Sequence, residues 1–125
     1  MNDKCIFCNL DNSRILKHTE LFNVTYDVYP VTKLHTLFIP IRHVESFFDL
    51  SKPEKDELLE LAQEFQELLR AEDASITGFN IGVNCGEDAG QTILHCHIHL
   101  IPRRKGDMED PKGGVRGVIP DKQKY

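Results

Sequence analysis

The sequence predicts an α+β fold in which an antiparallel sheet of about five strands is covered by one long helix. Histidines alternate with apolar residues over residues 93–101, and a spacing of two is the side-chain period of a β-strand. Residues 51–71 repeat apolar side chains at the three- and four-residue spacing of a helix. Residues 85–90, rich in glycine and acidic residues, predict a hairpin-type loop between a strand at 78–84 and the histidine strand.

The first half of the chain adds two strands to this sheet. Residues 21–28 alternate loosely between polar and apolar side chains and end before Pro30, which cannot donate to a strand ladder. Residues 35–39 form a second apolar run, which Pro40 ends. Because alternation is weak in this run, the sequence leaves open which face of the sheet His35 occupies.

The helix over residues 51–71 has a clear start and one apolar stripe. Ser51 and Glu54 have the spacing of a capping box, and Pro53 stands in the first turn, where a missing N–H costs little. The stripe that we expect to cover the sheet consists of Leu58, Leu61, Ala62, Phe65, Leu68 and Leu69.

Length, charge and composition limit the function classes. At 125 residues, the chain suffices for one domain spanning residues 1–125. Its net charge of −5 argues against broad nucleic-acid binding, and the absence of an apolar run near ~20 residues argues against a membrane span. The N-terminus lacks the apolar core of a signal peptide, so we expect a cytoplasmic protein whose four cysteines are thiols or metal ligands rather than disulfides.

The C-terminal end differs in charge from the rest of the chain. Residues 103–125 carry seven Lys/Arg and four Asp/Glu, a local charge of +3, whereas residues 1–102 carry eight and sixteen, a local charge of −8. We predict an extended tail beyond Pro102. Its positive charge could help to hold an anionic small molecule, or it could belong to a solvated tail.

The three alternating histidines, His95, His97 and His99, carry the functional signal. On a strand they would share one face, opposite an apolar face. Residues two apart lie ~6.5 Å from each other along a strand and residues four apart ~13 Å, which disfavours one metal ion bound by all three. A metal site formed by two of them remains one interpretation.

Nucleophilic catalysis on phosphorus is a second interpretation of the histidine row. An imidazole nitrogen can attack a phosphoryl group if other groups orient it and donate to the phosphate oxygens. His99 and His35 can donate, Gln91 and Thr92 stand directly before the histidines, and Gly90 permits close backbone approach to an anion. A purely structural role fits strict alternation beside Gly-Gln-Thr less well.

Residues 84–92 and 95–103 together resemble the signature of the histidine triad (HIT) superfamily, His-φ-His-φ-His-φ-φ preceded by Gly-Gln, where φ is apolar. The resemblance covers about residues 4–106 and leaves a tail at 107–125. Residues 101–107 resemble the Fhit-like and bacterial dinucleoside-polyphosphate hydrolase branch. The resemblance implies a HIT-like fold whose sheet continues across a homodimer.

The same resemblance implies residue roles. His97 would be the nucleophile that takes up a nucleoside monophosphate, and the backbone carbonyl of His95 would orient its ring. Asp27 matches the position that binds ribose, and Val28 the apolar wall beside the base. Leu34 replaces the glycine that usually precedes the histidine at position 35. The remaining implied contacts are to phosphate, with Gln91 also counted among the catalytic residues: His35, Asn84, Gly90, Gln91, Thr92 and His99.

The implied activity is hydrolysis at the α-phosphate of adenine nucleotide derivatives, through a nucleotidyl-histidine intermediate and with no metal in the chemistry. Dinucleoside polyphosphates of the diadenosine tetraphosphate type are the first substrate class. An adenosine 5'-phosphoramidase activity, a purine-nucleotide-binding regulatory protein with weak hydrolysis, and a metal-dependent enzyme built on a His-x-His pair are the alternatives.

Cys5 and Cys8 form a C-x-x-C pair, which alone is weak evidence for a metal site. Several bacterial HIT proteins bind zinc through such a pair and two histidines at the positions of His43 and His95. Two thiolates and two imidazoles complete a tetrahedral structural zinc site. The resemblance therefore implies a structural Zn²⁺ here, next to the catalytic histidines.

Overall fold

An antiparallel five-stranded sheet is the framework of residues 4–125, the part of the chain that this computed structural model describes. Residues 1–3 of the predicted domain lie outside the described residues. In chain order the strands are β1 (Ile15–His18), β2 (Phe22–Tyr26), β3 (Thr36–Pro40), β4 (Ile76–Val83) and β5 (Ile98–Arg104). They lie side by side in the order β1-β2-β3-β5-β4, and every neighbouring pair is antiparallel.

The predicted fold class is confirmed, and β4 and β5 form the expected antiparallel pair, with Gly82 opposite His99. The sequence did not predict β1. The predicted strand over 93–101 is wrong in its first half, because β5 begins only at Ile98. The amide of Cys96 donates to the carbonyl of Val44 at 2.7 Å, a loop contact rather than a ladder bond. His95 and His97 therefore precede the strand, although the His97 ring still lies 5.2 Å from the ring of His99.

Helix α1 (Lys52–Glu72) covers one face of the sheet, as predicted. Its capping box is formed: the Ser51 hydroxyl accepts from the Glu54 amide, and the Glu54 carboxylate accepts from the Ser51 amide at 2.8 Å. Leu68 lies outside the buried stripe because it is half exposed. The helix residues that enter the core are Leu58, Leu61, Phe65 and Leu69.

The opposite face of the sheet has a smaller apolar cluster, in which Phe7 packs with Leu37 and Ile39 of β3. Strand β3 is thus buried on both faces, because helix α1 covers one and the N-terminal segment covers the other. This double burial explains the weak alternation in its sequence.

The chain after β5 folds into turns and two short 3₁₀ helices, Gly114–Val118 and Pro120–Lys122, instead of the predicted extended tail. The first of them packs beside β4. Among residues 4–125, no helix combines the length and the apolar character needed to cross a membrane.

Candidate functional site

The candidate site lies on the face of the sheet opposite helix α1. Strand β5 directs Ile98 and Leu100 into the core, so His99, between them, points to the other face. His35, in the turn before β3, points to that same face, because its ring nitrogen Nε2 lies 2.9 Å from Nδ1 of His99. The structure thereby settles the orientation that the sequence left open.

The ring of His97 is oriented by the backbone of its own segment. Its Nδ1 lies 2.8 Å from the carbonyl oxygen of His95. A carbonyl only accepts hydrogen bonds, so Nδ1 carries the proton and Nε2 of the neutral ring keeps a lone pair. The Phe7 ring packs beside the imidazole, with 4.9 Å between the ring centroids. In the neutral ring this arrangement presents an oriented nitrogen lone pair that can act as a nucleophile.

A chain of hydrogen bonds also fixes the protons of His35 and His99. The amide of Val31 donates to Nδ1 of His35 at 3.0 Å, so the proton of neutral His35 is on Nε2. That Nε2–H donates to Nδ1 of His99. The proton of neutral His99 is therefore on Nε2, which remains available as a donor. An N–H at the end of such a chain can donate a hydrogen bond to a phosphate oxygen.

Burial keeps this histidine pair neutral. Desolvation, reinforced by His97 and His35, lowers the pKa of His99 to about 4, with Asp27 opposing the shift. Desolvation likewise lowers the pKa of His35, again against Asp27. The Asp27 carboxylate lies 3.6 Å from Nε2 of His35 and 4.0 Å from Nδ1 of His99, and its other oxygen accepts from the Tyr29 amide. At neutral pH the pair donates hydrogen bonds without carrying positive charge.

The loop before the histidines is held by the side chain of Gln91. Its carbonyl accepts from the Gly86 amide at 2.9 Å, and its amide donates to the carbonyls of Glu45 and Ile93. Gly86 and Gly90 both have positive φ, 95° and 92°, a conformation that glycine adopts without a Cβ clash. Gln91 is buried, and the oxygen and nitrogen of its side chain are bonded to these backbone groups. Its side chain therefore stabilises the conformation of the loop.

A cavity of about 660 Å³ opens beside the histidine pair. It brings together four of the predicted substrate residues: Asp27, His35, Asn84 and His99. Thr92 does not line it and instead lies in a second hollow with Cys5 and His43. Val28 is also absent from the lining and is exposed nearby in sequence to Asp27. The cavity thus gathers four of the predicted substrate residues, and the other four lie outside its lining: Val28, Gly90, Gln91 and Thr92.

The four predicted metal ligands converge, so that one donor atom from each lies within 4.8 Å of the others. Cys5 Sγ is 3.3 Å from Nδ1 of His95, Cys8 Sγ is 3.2 Å from Nδ1 of His43, and the two Nδ1 atoms are 3.1 Å apart. Tetrahedral zinc places sulfur and nitrogen ligands ~3.3–3.8 Å from one another. The spacing and the chemistry of this set therefore fit Zn²⁺.

A hydrogen bond outside the cluster prepares His95 for a metal. Its Nε2 lies 2.7 Å from the carbonyl oxygen of Pro40, so Nε2 carries the proton and Nδ1 directs its lone pair at the two thiols. Burial lowers the pKa of His95, which favours the neutral ring that a metal requires. We call Cys5, Cys8, His43 and His95 the thiol–histidine cluster.

Several residues around the site were not predicted from the sequence. Phe7 stands inside the C-x-x-C pair, and the predicted link from that pair to His95 was a signal that it would approach the histidines. The other missed residues line the cavity from the loop before His35 and from the C-terminal segment: Tyr29, Val31, Val115 and Val118. No sequence period marks the last two, because only folding of that segment brings them to the site.

Comparisons with known proteins show the family to which the chain belongs. The family model described as the HIT domain matches residues 10–106. An uncharacterised HIT-like protein of Methanocaldococcus jannaschii is 34% identical over 119 residues, covering 91% of each chain. The asymmetrical bis(5'-nucleosyl)-tetraphosphatase of Schizosaccharomyces pombe is 34% identical over 98 residues, 78% of this chain and 53% of that protein.

A solved structure is similar over most of the chain. The zinc-bound histidine triad family protein from Mycobacterium smegmatis superposes with a TM-score of 0.75 at 31% identity, covering 86% of this chain and 80% of that one.

Proposed function

Because this chain belongs to the HIT family, we propose that it hydrolyses adenine nucleotide derivatives at the α-phosphate through a nucleotidyl-His97 intermediate. Dinucleoside polyphosphates of the diadenosine tetraphosphate type are the proposed substrates. Two similar proteins support this class by their names: the tetraphosphatase of Schizosaccharomyces pombe and a bis(5'-adenosyl)-triphosphatase of Dictyostelium discoideum that is 37% identical over 98 residues.

The observation that carries the proposal is the 2.8 Å contact between Nδ1 of His97 and the carbonyl oxygen of His95. It leaves the lone pair of Nε2 unused and aims it away from the backbone. In the proposed first step, Nε2 forms a bond to the α-phosphorus while the bond from phosphorus to the leaving-group oxygen breaks. The leaving group departs as a phosphate with its electron pair, and a proton from solvent neutralises it.

The second step restores the enzyme. Water attacks the α-phosphorus, the Nε2–phosphorus bond breaks, and the electron pair returns to His97 while the water proton passes to solvent. In both steps Nε2–H of His99 donates to a phosphate oxygen, and the neighbouring Asn84, Gly90 and Thr92 are the further proposed phosphate contacts. Asp27 would bind the ribose and Val28 would flank the base.

Structural zinc is part of the proposal. Cys5, Cys8, His43 and His95 would hold it, and Zn²⁺ bound there would tie the N-terminal segment to the histidine segment. Bound zinc would affect catalysis through His95. The carbonyl oxygen of His95 orients His97, and its Nδ1 lies in the thiol–histidine cluster.

A homodimer with a joined sheet is also proposed. Strand β4 lies at the edge of the sheet, and an edge strand offers unpaired backbone groups to a second strand. Pairing of β4 with its copy across a two-fold axis would continue the sheet.

Mass spectrometry of the protein quenched during turnover tests the reaction. We expect an added nucleoside monophosphate on His97, and a loss of kcat on the order of 10³-fold or more in His97→Asn. His18→Asn is the matched control, because His18 is exposed on β1 outside the site, and it should keep full activity.

Three other outcomes would contradict the proposed reaction. Nucleotide binding without adduct or turnover would indicate a regulatory protein. Activity that chelators abolish and added metal restores within the assay would indicate a metal-dependent hydrolase. A higher kcat/KM for adenosine phosphoramidate than for every dinucleoside polyphosphate would indicate a phosphoramidase.

A further inference from the structure

Residues 110–125, here called the C-terminal segment, fold back onto the site of their own chain. Val115 and Val118 from this segment line the same cavity as Asp27, His35 and His99. We propose that the segment is the binding surface for the leaving group, and that its two valines select a leaving group that carries a nucleoside. The inference rests on the proposed function and adds the part of the site that distinguishes substrates.

The C-terminal segment is built around Gln123. Its side-chain amide donates to the carbonyls of Asp110 and Lys112, each at 3.3 Å. Gly113 has a φ of +89°, and a Cβ there would come within 1.6 Å of the Gln123 carbonyl oxygen. A Cβ on Gly117 would lie 2.9 Å from the Gln123 side-chain oxygen. Gly113 is therefore needed for the close packing of this segment, because its Cβ would meet backbone, whereas a Cβ on Gly117 would displace only the end of the Gln123 side chain.

Further contacts close the segment on itself. Nε of Arg116 donates to the Lys122 carbonyl at 3.1 Å, and its guanidinium lies over the Tyr125 ring at 5.2 Å. Lys112 lies over the same ring, also at 5.2 Å. A segment already ordered by such contacts loses little conformational entropy when a ligand binds to it.

This ordered segment leaves apolar side chains exposed where they face the site. Val118 is 81% exposed and Val115 is 61% exposed, although both line the cavity. Single exposed valines are ordinary on a protein surface. Two of them lining one cavity with Asp27, His35 and His99 form the combination of apolar wall and few polar groups that is typical of a ligand site.

The position of this wall assigns it to the leaving group. Asp27, the proposed ribose contact, lines this cavity with the two valines, whereas Val28, the proposed wall for the first base, does not. We therefore place the first base outside the cavity and the leaving group against the valines. A second cavity of about 490 Å³ shares Ile101, Val115 and Val118 with the first and extends along β5 beyond His99. A dinucleoside polyphosphate has a second nucleoside to bury there, whereas the ammonia that leaves adenosine phosphoramidate has no apolar surface.

Binding to a His97→Asn protein tests the inference without turnover. Diadenosine tetraphosphate and AMP are titrated by calorimetry against this protein and against the same protein carrying Val115→Thr and Val118→Thr. Threonine keeps the shape of valine and places a hydroxyl on the wall. We expect the double change to weaken diadenosine tetraphosphate by about tenfold and AMP by less than twofold.

Ile119→Thr is the matched control, because Ile119 is an exposed apolar residue of the same segment that lines neither cavity. It should leave both affinities unchanged. The inference is overturned, with the proposed function intact, if the double change weakens both ligands equally or neither, or if the parent protein binds AMP as tightly as diadenosine tetraphosphate. Absence of binding by both ligands would overturn the proposed function as well.

Discussion

Two clusters on one face of the sheet use the same kind of side chain in opposite ways. In the thiol–histidine cluster, the proton of His95 points out of the cluster to the Pro40 carbonyl, and the lone pairs converge. In the second cluster, the proton of His35 points into the cluster, to Nδ1 of His99. Converging lone pairs suit a cation, whereas a chain of donors that ends outward suits an anion.

The difference comes from the backbone rather than from residue type. A carbonyl oxygen at Pro40 accepts from His95, while an amide at Val31 donates to His35. Each backbone group fixes the tautomer of one ring, and that ring fixes what its cluster can bind.

Removing the thiols should eliminate the cation site. In a Cys5→Ser and Cys8→Ser protein we expect bound zinc to fall from about one equivalent to near zero, and the free energy of unfolding to fall by about 4 kcal/mol, because metal binding contributes to folding. Elemental analysis and denaturant unfolding measure the two effects. Cys85→Ser is the control, a partly buried cysteine outside the cluster, and full zinc occupancy in the double variant would refute the site.

Lowering the pH should destabilise the folded protein through His99 of the second cluster. The pKa of His99 is about 4 in the folded protein and near 6.5 in an unfolded chain, so between these values the unfolded state binds more protons. The contribution of His99 to the free energy of unfolding should be fully present above pH 6.5. It should fall by about 3 kcal/mol as the pH drops to 4.

Denaturant unfolding across this pH range provides the measurement. A His99→Gln protein keeps the thiol–histidine cluster and should lose the His99 share of the pH dependence. Equal slopes for the two proteins would show that His99 titrates normally.

Breaking the donor chain should impair the anion site alone. His35→Phe removes the N–H that fixes the tautomer of His99, and we expect kcat/KM to fall on the order of 30-fold, equivalent to about 2 kcal/mol. Bound zinc should not change. His35→Gln restores a side-chain N–H and should recover part of the loss, and nitrogen NMR of His99 should show mixed tautomers only in the Phe variant. Unchanged tautomers there would refute the chain.

The smallest effect is expected from substitutions in the turn before His35. Leu34 has a φ of 75°, which strains a residue with a Cβ, yet its side chain packs against the core. Leu34→Ala loses the packing and keeps the strain, whereas Leu34→Gly loses both. We expect the glycine variant to be more stable than the alanine variant by about 1 kcal/mol in denaturant unfolding. The reverse order would show that this turn carries no strain.

Much of the fold followed from local pattern. The capping box and stripe predicted helix α1 within a residue at each end, and the hairpin-type loop predicted the pairing of β4 with β5. The predicted histidine strand failed before Ile98. Strand β4 ends with Val83 opposite Ile98, and although β3 continues to Pro40, its ladder with β5 stops at the Phe38–Ile98 pair and the Cys96 amide bonds to Val44 instead. Periodicity describes side chains and does not report whether a partner strand exists.

The groups that the site contains can be read from the sequence: three closely spaced histidines, the glycines before these histidines, and a C-x-x-C pair. What each group can do depends on the folded arrangement. The Nε2 proton of His95 is directed by Pro40, 55 residues away, and the cavity is walled by valines from the end of the chain. Proton positions and cavity walls depend on contacts between distant segments, and such contacts leave no period in the sequence.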